Sequence, residues 1–122
     1  MTTIKSSYRG ELRTEASHLL SGTKLVTDAP VDNQGKGESF SPTDLVATGL
    51  ASCMLTIMGI VAERHGWDLT RATASATKVM AADPVRRIAR IEVTIEIPGA
   101  FSAQARAALE KAALGCPVHA TL

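Results

Sequence analysis

Aromatic side chains are scarce in this chain. Tyr8, Phe40, Trp67 and Phe101 are the whole set, 3% of 122 residues. That leaves no platform for stacking bases or sugars, and the core has to be filled by aliphatic and small side chains. Runs of like charge are absent too, since 13 Lys and Arg balance 12 Asp and Glu to a formal net charge of +1. Without a basic stripe to track a phosphate backbone or an anionic bilayer, neither nucleic acid nor a membrane is expected as a partner. The two cysteines, Cys53 and Cys116, are too few and too far apart for a secreted disulfide framework. The first eleven residues alternate polar and apolar, without the basic start and apolar stretch of a signal peptide. A cytoplasmic location is therefore expected. With 45% hydrophobic positions, residues 1–122 are read as a single domain around one core.

One hydrophobic run stands out. Residues 45–62 carry no charge, and eighteen such residues approach the ~20 that span a bilayer. Thr48, Gly49, Ser52, Cys53, Thr56 and Gly59 dilute the run, so it is read as a helix buried inside soluble protein and wrapped by other elements. Its start is marked by Ser41 as N-cap, Pro42 in the first turn and Asp44 as a first-turn acid, and its stop by Gly66.

Before the helix, residues 3–12, 14–20 and 24–27 alternate as strands of an antiparallel meander. Residues 28–40, with Pro30, Gly35 and Gly37, have little to bury, and a connection of that length is unusual unless it is functional or crosses to a partner. Gly35-Lys36-Gly37 lacks the spacing and context of a phosphate loop. After the helix, residues 69–80 and 86–97 predict a hairpin around Asp83-Pro84, with Ala89, Ile91, Val93, Ile95 and Ile97 on one face. Ser102 caps a helix to Leu114 with Gly115 at its C-terminal cap, and Cys116-Pro117 opens a further short helix.

Two residues could carry chemistry. Cys53 lies mid-helix, as a small core hydrophobe or as a thiol made reactive by a cation from elsewhere, because the helix dipole fades a dozen residues in. Cys116 sits at a helix start, as an incidental boundary residue or as a second thiol that could close a disulfide. A zinc set from Cys53, Cys116, His119 and His18 or His65 lacks a second close-spaced pair, so no metal is expected. Leu50, Met54, Ile57 and Met58 could border an aliphatic pocket or simply be core.

Ser41-Pro42-Thr43-Asp44-Leu45 running into Gly49-Leu50-Ala51-Ser52-Cys53, with Gly115-Cys116-Pro117-Val118-His119 later, resembles the OsmC/Ohr family of thiol-dependent organic hydroperoxide reductases. Asp28-Ala29-Pro30-Val31-Asp32-Asn33 and Gly35-Lys36-Gly37-Glu38 are similar to an OsmC-like subgroup. The resemblance implies an α+β fold in which antiparallel sheets wrap a buried central helix, assembled as an intertwined homodimer. It implies Cys53 as peroxidatic thiolate and Cys116 as resolving thiol, acting in oxidative-stress defence. Alkyl or fatty-acid hydroperoxides would be the substrates and an external dithiol, often lipoyl-linked, the reductant, with no bound cofactor. Relatives carry an early arginine that pairs with the thiolate and a glutamate at the helix start that holds it. Arg13 matches the arginine best, with His18 as the second choice; Thr43 stands at the glutamate's place and Asp44 follows it. Relatives also continue into a closing strand where this sequence stops, which would leave a sheet edge uncovered.

Nine residues separate Asp44 from Cys53, about 13–14 Å along a helix and about 180° around it. A cluster of thiolate, cation and carboxylate therefore needs the 28–40 loop or a second chain, a further ground for expecting a dimer. Two other readings are a non-catalytic protein that binds a small molecule or acyl chain on the same fold, and a redox sensor whose disulfide alters a partner contact.

Overall fold

The alternating N-terminal residues form a three-stranded antiparallel sheet in the computed structural model, which describes residues 1–122. The chain groups into two compact units, Met1–Leu45 and Val46–Leu122, and the boundary falls inside the long helix. In the first unit, β1 (Ile4–Gly10), β2 (Arg13–His18) and β3 (Lys24–Asp28) pair in sequence order. The β1–β2 turn places Glu11 and Leu12 at φ 54° and 63°, the left-handed pair that a tight hairpin needs to match the twist of its strands. The β2–β3 register sets Arg13 across from Asp28 and Ala16 across from Leu25.

Residues 29–40 fold back on the end of β3. Asp28 N–H donates to Phe40 O at 2.9 Å, Gly37 N–H to Ala29 O at 3.2 Å, and a 3-10 turn spans Val31–Asn33. Gly35 is required by proximity, because a Cβ there would overlap the Ala29 carbonyl. The segment with little to bury is thus tied by backbone hydrogen bonds.

Helix α1 (Pro42–His65) starts and stops where the sequence places its signals. Ser41 Oγ accepts from Asp44 N–H at 3.1 Å while Asp44 Oδ2 accepts from Ser41 N–H at 2.8 Å, a reciprocal cap. At the other end Gly66 takes φ 70° and Trp67 N–H reaches back to Ala62 O at 2.9 Å.

In the second unit the buried stripe of α1 is Leu50, Met54, Met58 and Ala62, at four-residue spacing. This stripe packs with Leu109, Ala113 and Cys116 and with the half-buried Ile91, Val93, Ile95 and Ile97. Burial is one-sided, however: only 33% of the helix's most apolar eighteen-residue window is buried, and Val46 and Ile60 are exposed. Strands β4 (Thr73–Ala81) and β5 (Arg87–Glu96) form the expected hairpin, with a cis Asp83-Pro84 bond in its turn.

Three details differ from the sequence reading. Strand β4 begins at Thr73 rather than near residue 69, because Asp68 Oδ1 accepts from Thr70 N–H and Oγ1 and bends the chain. The β4–β5 register slips between Val79 and Met80, so Ile88 rather than Ala89 is half-buried. Helix α2 (Ala103–Leu114) is capped by Ser102 as expected, but Gly115 ends it at φ −87°, a conformation open to any residue. Helix α3 (Pro117–Thr121) follows from its N-cap, Cys116.

Candidate functional site

Cys53 and Cys116, 63 positions apart in sequence, meet in the second unit: α1 supplies one sulfur, the α2–α3 junction the other, and the two are hydrogen-bonded as free thiols. Their surroundings differ. Cys116 is fully buried at 0% exposure, whereas Cys53 is half-buried. Cys116 Sγ also accepts from His119 N–H at 3.4 Å, because as N-cap it faces the unpaired donors of the first turn of α3.

These contacts set the order in which the thiols ionise. For Cys116, burial pushes the thiol up, but the hydrogen bond from Cys53 and the His119 and Val118 N–H groups outweigh it and bring it below the ordinary thiol value. For Cys53 the hydrogen bond to Cys116 is the largest influence and raises the thiol, opposed by the Val118 N–H. The two thiols are thus shifted in opposite directions by their contacts.

The other predicted residues fall in the first unit. Arg13 on β2 donates from Nη2 to Glu38 Oε2 at 2.9 Å and lies 3.6 Å from Asp28 Oδ2. The hydrogen bond and charge of Glu38 hold the guanidinium above its ordinary pKa. Asp28 is 1% exposed, and its Oδ2 accepts from Glu38 N–H at 3.0 Å. Asp28 Oδ1 and Arg13 Nε are both buried without a hydrogen-bond partner. Asp44 is engaged in the Ser41 cap, and His18 Nδ1 lies 2.6 Å from Ser21 Oγ and accepts from Ser21 N–H.

Asp28 and Glu38 are the residues that sequence reasoning missed as partners of Arg13. The β2–β3 register could have located Asp28. Glu38 reaches Arg13 only through the fold of the loop.

Apolar space also lies in the second unit. A groove of about 390 Å³ is lined by Met54, Met58, Val93, Ile95 and Ile97, with Arg106 and Glu110 beside them. Of the four residues expected to border a pocket, Met54 and Met58 do so, while Leu50 is core and Ile57 packs against it. No three of the His, Cys, Asp and Glu side chains converge as a metal site would require.

A family model described as OsmC-like protein matches residues 35–122, which include both cysteines. A solved structure from Psychrobacter arcticus, proposed to be an osmotic stress induced and detoxification response protein, is 52% identical; the alignment covers 100% of this chain and 88% of that one at a TM-score of 0.94. The organic hydroperoxide resistance protein OsmC of Legionella pneumophila is 23% identical over 99% of this chain and 88% of that chain, with a TM-score of 0.73. An OsmC-like protein of Mycoplasma pneumoniae is 17% identical over 99% and 86%, with a TM-score of 0.79. The last two share the α+β fold. No curated protein matches the chain. The match across both cysteines, together with a structure half identical over the whole length, makes this chain a member of the OsmC-like family.

Proposed function

We propose that the protein is a cysteine-based peroxidase that reduces organic hydroperoxides to alcohols in oxidative-stress defence. The observation that carries this reading is the hydrogen-bonded pair of free thiols, one half-buried and one sealed. Exposure supports Cys53 as the attacking thiol, since Cys53 is half-buried and Cys116 fully buried.

As Cys53 attacks the distal peroxide oxygen, its proton passes along their hydrogen bond to the Cys116 thiolate. An S–O bond forms and the O–O bond breaks, leaving Cys53 as a sulfenic acid and an alkoxide that leaves as the alcohol after taking a proton from solvent. Cys116 then attacks the Cys53 sulfur, hydroxide departs as water, and a disulfide remains. An external dithiol, of the lipoyl kind, reduces that disulfide by exchange and is itself oxidised by two electrons. Neither metal nor bound cofactor enters this scheme. Arg13 is the cation that the family resemblance brings to the thiolate.

The protein works as a homodimer in the cytoplasm under this reading, and the one-sided burial of α1 supports the dimer. Reduced protein treated with cumene hydroperoxide is expected to lose two thiols, and Cys53→Ser to abolish turnover with dihydrolipoamide. Thiols that stay free after the treatment would refute the reading.

A second reading, an acyl-binding protein without turnover, is favoured by the 390 Å³ apolar groove. It predicts ligand retained in native mass spectrometry and bound equally by wild type and Cys53→Ser.

A further inference from the structure

We infer that Asp28 and Glu38 together are the positioning carboxylates of Arg13: Asp28 is a fixed anchor and Glu38 a second arm carried by the glycine-flanked loop. The inference rests on the peroxidase reading, in which Arg13 supplies the cation.

Three observations build it. Arg13 and Asp28 are cross-strand partners at the β2–β3 end, so the backbone alone brings their side chains to one place. Asp28 is 1% exposed, and a carboxylate so buried demands compensation by charge and hydrogen bonds. It obtains part of both: Oδ2 faces Arg13 Nη2 at 3.6 Å and accepts the Glu38 N–H at 3.0 Å. The same hydrogen bond fixes where Glu38 leaves the loop, and from there Oε2 reaches Arg13 Nη2 at 2.9 Å. Asp28 therefore acts twice, on the guanidinium directly and on the residue that grips it.

The first acid of α1 is engaged elsewhere, since Asp44 closes the Ser41 cap. Gly35 and Gly37 make the grip possible. Gly35 packs against Ala29 where a Cβ cannot fit, and Gly37 takes φ 65°, so the loop turns tightly enough to return Glu38 to the sheet. Both carboxylates engage Nη2 of the guanidinium. Buried Arg13 Nε and Asp28 Oδ1, each without a partner, show that the anchor is looser than a bidentate pair. The grip of Glu38 thus holds the guanidinium where Asp28 alone would not.

The test is a double-mutant cycle on the full chain, reading kcat/KM for cumene hydroperoxide with dihydrolipoamide as reductant. Glu38→Gln, at a side chain 61% exposed, keeps the fold and is expected to lower kcat/KM about tenfold, mostly in kcat, in the range seen when the partner of a functional group is removed. Glu38→Asp should recover part of the loss. On an Arg13→Ala background the same Glu38→Gln change should cost less than about twofold, because the group it positions is gone. Equal losses in both backgrounds, or wild-type activity in Glu38→Gln, would overturn the inference and leave the peroxidase reading standing. A wild type that never turns over hydroperoxide would instead overturn the peroxidase reading, and this inference with it.

Discussion

Two residues of the same type, Cys53 and Cys116, acquire opposite acidities from their neighbours. Cys116 is sealed from water, which by itself raises a thiol, yet it accepts hydrogen bonds from Cys53 and from the N–H groups of His119 and Val118 and ends lower than usual. Cys53 donates the hydrogen bond to Cys116 and ends higher. A prediction follows from which neighbour each depends on. Cys53→Ala removes the donor but not the burial, so the remaining Cys116 thiol should titrate above the first step of the wild-type pair. Cys116→Ala removes the largest influence raising Cys53, which should then titrate below the second wild-type step. Ultraviolet thiolate absorbance against pH reads both, and two variants titrating alike would contradict the assignment. The sign for stability follows from linkage. The lowered Cys116 value stabilises the fold above the unfolded thiol pKa and the gain is lost as pH falls through the folded value, while the raised Cys53 value acts the other way. Through the pair, stability should therefore rise with pH below the unfolded thiol pKa and fall above it.

At the scale of elements, the start of α1 is a local device. Ser41 and Asp44 exchange two hydrogen bonds across the first turn, and Ser41 is 1% exposed, so water cannot replace a lost cap. Ser41→Ala should cost about 1–2 kcal/mol, read as a lower urea midpoint at unchanged slope. An unchanged midpoint would show that the cap contributes nothing. Devices of this local kind were legible in the sequence: Ser41-Pro42, Gly66 and the Ser102 cap bound their helices where expected, and alternation found all five strands. What could not be read depended on side chains bonding to distant backbone. The Asp68–Thr70 turn delays β4, the bulge at Val79 and Met80 exchanges Ala89 for Ile88, and the Asp28–Glu38 bond shapes a loop that pattern alone left blank. The cysteine pair was intermediate. Spacing offered two possible reactive thiols, and only the family resemblance joined them, because nothing local to residue 53 or 116 encodes a contact over 63 positions.

The whole molecule leaves apolar surface exposed that a single chain does not cover. Val46 and Ile60 on α1 are 37% and 43% exposed, on a helix that carries no charge from residue 45 to 62. In the other unit, the register puts Ile4, Tyr8, Ala16 and Leu25 on one face of the sheet, and Ile4, Tyr8 and Leu25 are 55%, 69% and 43% exposed. Exposed apolar faces of this kind mark an interface, and a stable protein–protein one removes about 1,200–2,000 Å² from water. A second copy of the chain is the occupant we propose, so folding and association should be linked. Wild-type protein should then run at twice the chain mass in light scattering, with a Tm that rises with protein concentration as mass action requires. Ile60→Glu places a charge on the helix face without touching the buried stripe of Leu50, Met54, Met58 and Ala62. It should shift the protein toward monomer and remove the concentration dependence of Tm, while the α2 and β5 contacts of the core persist. A wild type that is monomeric at every concentration, or an Ile60→Glu variant that associates as tightly as wild type, would show that this face of α1 is covered by something other than a second copy.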